Sequence, residues 1–245
     1  FMVKSITPEG FLRFLPLGGW FDQVMLAQRV VVKTASGDVP GIIGSKPPHL
    51  LTEEERKKVV EKKEMFIDVG ATSFDQATNE FGIRPGDPVI PESGFQILKN
   101  EKVYMGKAWD DRVGCAILID VLRNLHAATH PNTVYAVATV QEEVGLRGAE
   151  TSSDVVDPDV AFALEVGIAN DTPGGDKEKV QERMGAGPVI LIYDRSLVPN
   201  IKLRDLVIDT AKAHDIPYQI DFMEGGAADT GRIHLHGRGV PSVVI

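Results

Sequence analysis

The chain has 245 residues, 43% apolar and 25% charged, with a formal net charge of −9 and a pI near 5.2. This is the balance of a globular chain long enough for one large domain or two smaller ones. The acidic charge gives no electrostatic basis for binding nucleic acid or an anionic membrane, and no apolar run approaches the roughly 20 residues that span a bilayer.

Residues 1 to 98 read as β-rich. Short apolar runs (Phe11–Leu15, Arg29–Lys33, Val39–Gly44, Met65–Val69 and Val89–Ile90) alternate with turn residues such as Gly18-Gly19, Ser36-Gly37-Asp38 and Gly86-Asp87. Strands at this spacing suggest a small barrel or sandwich. Thr52 followed by Glu55 has the spacing of a capping box, which predicts a short surface helix there. Ser73–Phe81 reads as a helix ending at Gly82.

From residue 99 the pattern changes. Val113, Ile117, Val121 and Leu125 recur near a helical period, with small Gly114, Cys115 and Ala116 permitting close packing. Thr133–Val140 is nearly all apolar, as in a strand covered on both faces. Val160–Leu164, Pro188–Ile192 and Tyr218–Phe222 read as further strands, and Lys202–His214 as an amphipathic helix. Strands alternating with helices predict an α/β sandwich. Both Phe1–Ile6 and Gly239–Ile245 read as interior strands, so the chain is expected to be a piece of a longer polypeptide. Cys115 is the single cysteine. It rules out an internal disulfide and a Cys-x-x-Cys zinc knot, and fits a reducing cytoplasm.

Acidic residues fall where such folds place ligands. Glu142 and Glu143 follow the 133–140 run, Glu165 follows the 160–164 run, and Asp110 sits in a loop before a helix. Sites in open α/β sheets form beyond the carboxyl ends of strands. Carboxylates meeting there repel one another, and divalent ions remove the conflict. Such ions take carboxylate oxygens at about 2.0–2.2 Å, and a bridging carboxylate holds two ions roughly 3.5–4 Å apart. If the Glu pair is extended, its side chains point opposite ways, so one can bind metal while the other moves a proton. Plainer readings stand beside this one. Asp110-Asp111-Arg112 also suits a helix cap with a surface ion pair, and a Glu-Glu pair also suits solvent. Glu165 at the end of a buried strand needs a partner in either case. The histidines offer no clear ligand. His49 lies in a loop, His126, His130 and His214 sit at helix ends, and His234 and His236 are two apart.

At these residues the chain resembles the glutamyl-aminopeptidase and tetrahedral-aminopeptidase family of di-metal peptidases, some of whose members are labelled endoglucanase M. The resemblance rests on Lys107–Gly114, Val140–Ala149, Ala163–Ala169, Asp171–Gly174, Gly185–Pro188 and Gly225–Gly231, together with Pro16–Trp20. It covers essentially the whole chain, in order.

The resemblance implies an α/β/α sandwich catalytic domain at 99–245, interrupted by a β-barrel-like dimerisation domain at 1–98. It makes Asp110 the bridging carboxylate, in a peptide to Asp111 that is cis in the family. Glu142 becomes general base and acid, and Glu143 and Glu165 become ligands of one ion each. Relatives often carry Asp at the position of Glu165. The two ions would be Zn²⁺ or Co²⁺. The family's two histidine ligands fall just before residue 1 and just after residue 245. Substrates would be short peptides, and dimers would build a twelve-subunit shell in the cytoplasm. Two other readings remain open. One is a catalytically incomplete assembly module, and the other is a glycoside hydrolase, which also uses paired carboxylates.

Overall fold

The structure is a computed structural model in which residues 1–175 and 181–245 are described. It divides into two compact units, Phe1–Lys107 and Ala108–Ile245.

The first unit contains β1 (Met2–Ile6), β2 (Leu12–Leu15), β3 (Arg29–Thr34), β4 (Gly37–Gly44), α1 (Glu53–Arg56), β5 (Phe66–Asp68), β6 (Val89–Pro91), β7 (Gln96–Ile97) and β8 (Tyr104–Met105). Six of these strands form one sheet in the order β1-β2-β5-β4-β3-β6. The sheet curls until its two ends meet. Phe1 and Val89 exchange backbone hydrogen bonds of 3.0 and 2.9 Å, Met2 bridges Pro88, and the Val3 carbonyl accepts from the Gly86 N–H.

Alternation explains the curl. Leu12 and Phe14, Val30 and Val32, and Ile43 and Ile67 all point inward and are buried, as a two-residue period requires. Each side chain of this size contributes about 1.5–3 kcal/mol on leaving water. The expected capping box is present. The Glu55 N–H donates to Thr52 Oγ1 at 3.2 Å, and the Thr52 N–H donates to Glu55 Oε2 at 2.7 Å. The helix expected at 73–81 is shorter than its sequence span. It is a wide turn at Gln76–Glu80, closed by Gly82 at φ 71°. The β7–β8 hairpin belongs to this unit, so the division between the units lies beyond it.

The second unit contains α2 (Trp109–His126), α3 (Arg147–Val156), β9 (Ala161–Ala163), β10 (Val189–Asp194), α4 (Ile201–Ala213), β11 (Gln219–Met223), α5 (Thr230–Ile233) and β12 (Ser242–Val244). Strand–helix alternation makes it an α/β unit. β10 pairs in parallel with β11, and β12 with β9. One face packs Ala163, Leu191, Leu197, Ala228 and Val244. Another packs Ile190, Leu203 and Val243 against α4. Asn200 caps α4 by accepting from the Leu203 N–H at 3.1 Å.

Two expectations are corrected here. Residues 133–140 form no strand, and Val134, Tyr135 and Val140 are 42%, 63% and 67% exposed. Their β-branched composition favours a strand, but a strand also needs a neighbour's backbone to satisfy its N–H and C=O groups. Among the described residues no ladder forms along this run. Within α2, Gly114 is buried as expected, whereas Cys115 is exposed.

Candidate metal centre and active site

The acidic residues lie on four separate pieces of the second unit. Asp110 and Asp111 occupy a kink in the first turn of α2. Their backbones leave helical values (φ −80°, ψ 109° and φ −122°, ψ 55°), and the peptide between them is cis. The Gly114 N–H donates to Asp111 Oδ1 at 2.9 Å, and a Cβ at position 114 would collide with the Asp111 carboxylate. Glycine is therefore required for this carboxylate to fold back over the helix.

Glu142 and Glu143 sit in a turn leading into α3, not in extended structure as their sequence context suggested. Gln141 at φ 58° and Leu146 at φ 57° flank the turn. The Glu142 carbonyl accepts from the N–H groups of Gly145 at 2.9 Å and Leu146 at 2.8 Å. The first turn of α3 presses close, since a Cβ on Gly148 would overlap the backbone of Val140. Glu165 continues the β9–β12 ladder, its N–H donating to the Ile245 carbonyl at 2.9 Å.

These pieces converge. Burial pushes the Glu165 carboxyl up to about 8, helped by Glu142, Asp111, Asp110 and Asp229. Burial likewise pushes Glu142 up to about 7, helped by Asp229, Glu143, Asp110 and Asp111. Glu143 is raised by burial and then by Asp110. Asp111 is raised by burial, with Asp110 and Asp229 adding to it against the Gly114 hydrogen bond. Every charge acting on Glu142 and Glu165 is another carboxylate, and Asp110 neighbours Glu142, Glu143, Glu165 and Asp111 alike.

Asp229, within the Gly225–Gly231 segment, is a further member of the group. Burial raises its carboxyl as well. One oxygen accepts from Thr139 Oγ1 at 2.5 Å, and the other is buried with no hydrogen-bond partner. The signal in the sequence was a lone acid set among small residues, Gly225-Gly226-Ala227-Ala228-Asp229-Thr230-Gly231, with Ala228, Thr230 and Gly231 all buried.

Two histidines of this unit have other engagements. His234 Nδ1 contacts the Thr230 carbonyl at 2.7 Å. His236 lies between Asp154 at 3.4 Å and Asp157 at 3.0 Å.

Clustered carboxylates with raised pKa values suit a divalent cation, because hard oxygen donors bind such ions and the ion's charge cancels their repulsion. The buried, unpartnered oxygen of Asp229 adds to this negative field. Among the described residues, no three His, Cys, Asp or Glu side chains are grouped to hold one ion together.

The raised values carry a consequence for the metal-free protein. An unfolded glutamate titrates near its ordinary 4.5, whereas folded Glu142 and Glu165 hold their protons to about 7 and 8. Between 4.5 and 8 the folded state binds more protons, so stability falls as pH rises through that window and is flat beyond it. Allowing for solvent screening, the chelated protein should lose about 1–2 kcal/mol between pH 5 and pH 9, a few degrees in Tm. Thermal melts with chelator across this range would measure the loss, and divalent ions should reduce it.

The family model described as M42 glutamyl aminopeptidase matches residues 1–245. The chain is 36% identical to the glutamyl aminopeptidase of Lactococcus lactis subsp. cremoris over 246 residues, covering 100% of this chain and 68% of that protein. The crystal structure of a TET aminopeptidase from a marine sediment archaeon of the Thaumarchaeota superposes with TM-score 0.97 at 54% identity, covering 100% of this chain and 68% of that one. The TET1 peptidase of Pyrococcus horikoshii, whose structure shows that it can assemble into a tetrahedron or a large octahedral shell, gives TM-score 0.87 at 31% identity, covering 99% and 70%.

The chain belongs to the M42 glutamyl aminopeptidase family. It is a peptidase-type hydrolase, and spans about two-thirds of the length of the relatives it matches. Among the described residues no helix is long and apolar enough to cross a membrane.

Proposed function

We propose that the protein is a metal-dependent aminopeptidase that removes the N-terminal residue of short peptides, with Glu142 as general base. The observation that carries this reading is the convergence of Asp110, Glu142, Glu143 and Glu165 from three separate pieces of the chain.

Asp110 neighbours both Glu143 and Glu165, which supports it as the carboxylate shared by two ions. Glu143 would then hold one ion and Glu165 the other, each with two carboxylates from residues 1–245. Zn²⁺ or Co²⁺ bound there would supply an acidified water and a polarised substrate carbonyl. Glu142 is neighboured by more of the other acids than Glu143 is, which places it beside the ions' ligands, where a carboxylate can take a proton and return it. In this role it accepts the proton of the attacking water and passes it to the leaving amine. Glu165 is one methylene longer than Asp, so its ion would sit farther from the strand end.

The barrel-like curl of the first unit supports reading that unit as the dimerisation domain and the second as the catalytic domain, divided after Lys107 in place of the expected 98/99. Dimers would build a twelve-subunit shell enclosing the sites, which would admit peptides and exclude folded proteins.

The test is hydrolysis of aminoacyl-p-nitroanilides. Chelation should remove the activity, and Zn²⁺ or Co²⁺ should restore it. Activity that survives complete chelation would defeat the metal-dependent reading, and cleavage of glycosides under chelation would establish a glycosidase in its place.

A further inference from the structure

The run leading to Glu142 is joined to the rest of the second unit by a side chain. Residues 133–140 form no ladder among the described residues, yet Glu142 must be placed accurately to move a proton. Downstream, its turn is well tied to α3. The Glu142 carbonyl accepts from Gly145 and Leu146, the Gln141 carbonyl from Arg147 at 3.3 Å, and the Val140 carbonyl from Gly148 at 2.8 Å. Upstream, the tie is a side chain. Thr139 Oγ1 donates to Asp229 Oδ2 at 2.5 Å, joining residues 90 apart.

Asp229 is fixed at its own end. Its carbonyl accepts from the N–H groups of Arg232 at 3.0 Å and Ile233 at 3.2 Å. Beside it, a Cβ on Gly231 would strike Ser196 and come within 3.2 Å of Leu146 Cδ1. The start of α5 thus packs against the same turn that its carboxylate ties from the other side. A hydrogen bond to a carboxylate is shorter and stronger than a neutral one, which suits it to holding an otherwise unpaired segment.

We propose that Asp229 is a positioning residue for the peptidase reaction, acting through Thr139 to hold the turn that carries Glu142. The inference rests on the role given to Glu142 above. It makes Thr139 and Asp229 a single device. Removing either partner should do the same damage, and removing both should do little more.

The experiment uses the metal-loaded protein with an aminoacyl-p-nitroanilide. Thr139→Val and Asp229→Ala should each lower kcat by about ten- to a hundredfold, the scale of a misplaced catalytic group, with KM and ion content near the wild-type values. The double variant should match the worse single variant. Thr139→Ser, which keeps the hydroxyl, should restore most of the rate. Amide exchange at residues 145–148 should quicken in Thr139→Val and not in Thr139→Ser.

Additive losses, an unchanged kcat, a loss confined to KM, or Thr139→Ser as impaired as Thr139→Val would each overturn the proposal. A wild-type protein without peptidase activity would instead count against the proposed function. Amide exchange at 145–148 would then still decide whether the Thr139–Asp229 tie holds the turn.

Discussion

Glu142→Gln should lower kcat by about 10²–10⁴-fold, the usual worth of a positioned general base, while uptake of divalent ions stays at the wild-type level. The substitution keeps the size and hydrogen-bonding outline of the side chain but removes its capacity to take a proton. Glu142 lies in the acidic group without needing to be a ligand. Its turn is held through backbone atoms, the Glu142 carbonyl accepting from Gly145 and Leu146, and this leaves the carboxyl free. In the metal-free protein, burial and the surrounding carboxylates bring it to about 7. Rate measurements on an aminoacyl-p-nitroanilide, paired with metal analysis of the same samples, make the test. A variant with a normal rate would remove Glu142 from the chemistry. A variant that lost its ions would make it a ligand.

Asp110→Asn should have the largest effect on ion binding. In the proposed role of shared carboxylate it would serve both ions, so its loss should take the protein from two ions toward none, and activity should fall with them. In their proposed roles Glu143 and Glu165 would each serve one ion, so Glu143→Gln and Glu165→Gln should each retain the other. Titration calorimetry with Zn²⁺, together with metal analysis after dialysis, separates the three outcomes. Equal stoichiometry in all three variants would show that Asp110 is not shared. The expectation draws on Asp110 neighbouring Glu142, Glu143, Glu165 and Asp111 alike, whereas the charge acting on Glu143 is that of Asp110.

Local patterns in the chain carried over where the stabilising interactions are themselves local. The alternation at Val30 and Val32 placed β3 in the curled sheet. Thr52 and Glu55 formed the capping box, because both partners lie within one turn. The period across 113–125 gave α2, and Asn200 just before the 202–214 run proved to be the cap of α4. The run at 133–140 did not carry over. Its composition promised a strand, but pairing depends on a neighbour that the segment cannot supply for itself.

The site divides along the same line. Asp110 and Glu165 could be singled out in the sequence because each adjoins an element that forms, α2 and β9, whereas Glu142 and Glu143 were singled out beside a run that forms no strand. Asp229 was not legible. It adjoins a four-residue helix, and its partner Thr139 is 90 residues away. The extended geometry assumed for Glu142 and Glu143 also gave way to a turn, fixed by the positive φ of Gln141 and Leu146 and by the absence of a side chain at Gly148.

By itself the sequence determined which carboxylates are present, which elements carry most of them, and the family to which the chain belongs, since these depend on residue type and order. Only the tertiary structure decided that six carboxylates from four pieces share one region, that Glu142 is the one neighboured by the other five, and that Asp229 accepts a hydrogen bond from Thr139 just before the turn of Glu142. The reason is physical: burial and charge–charge repulsion depend on distances in space, and those are set by packing between residues far apart in the chain.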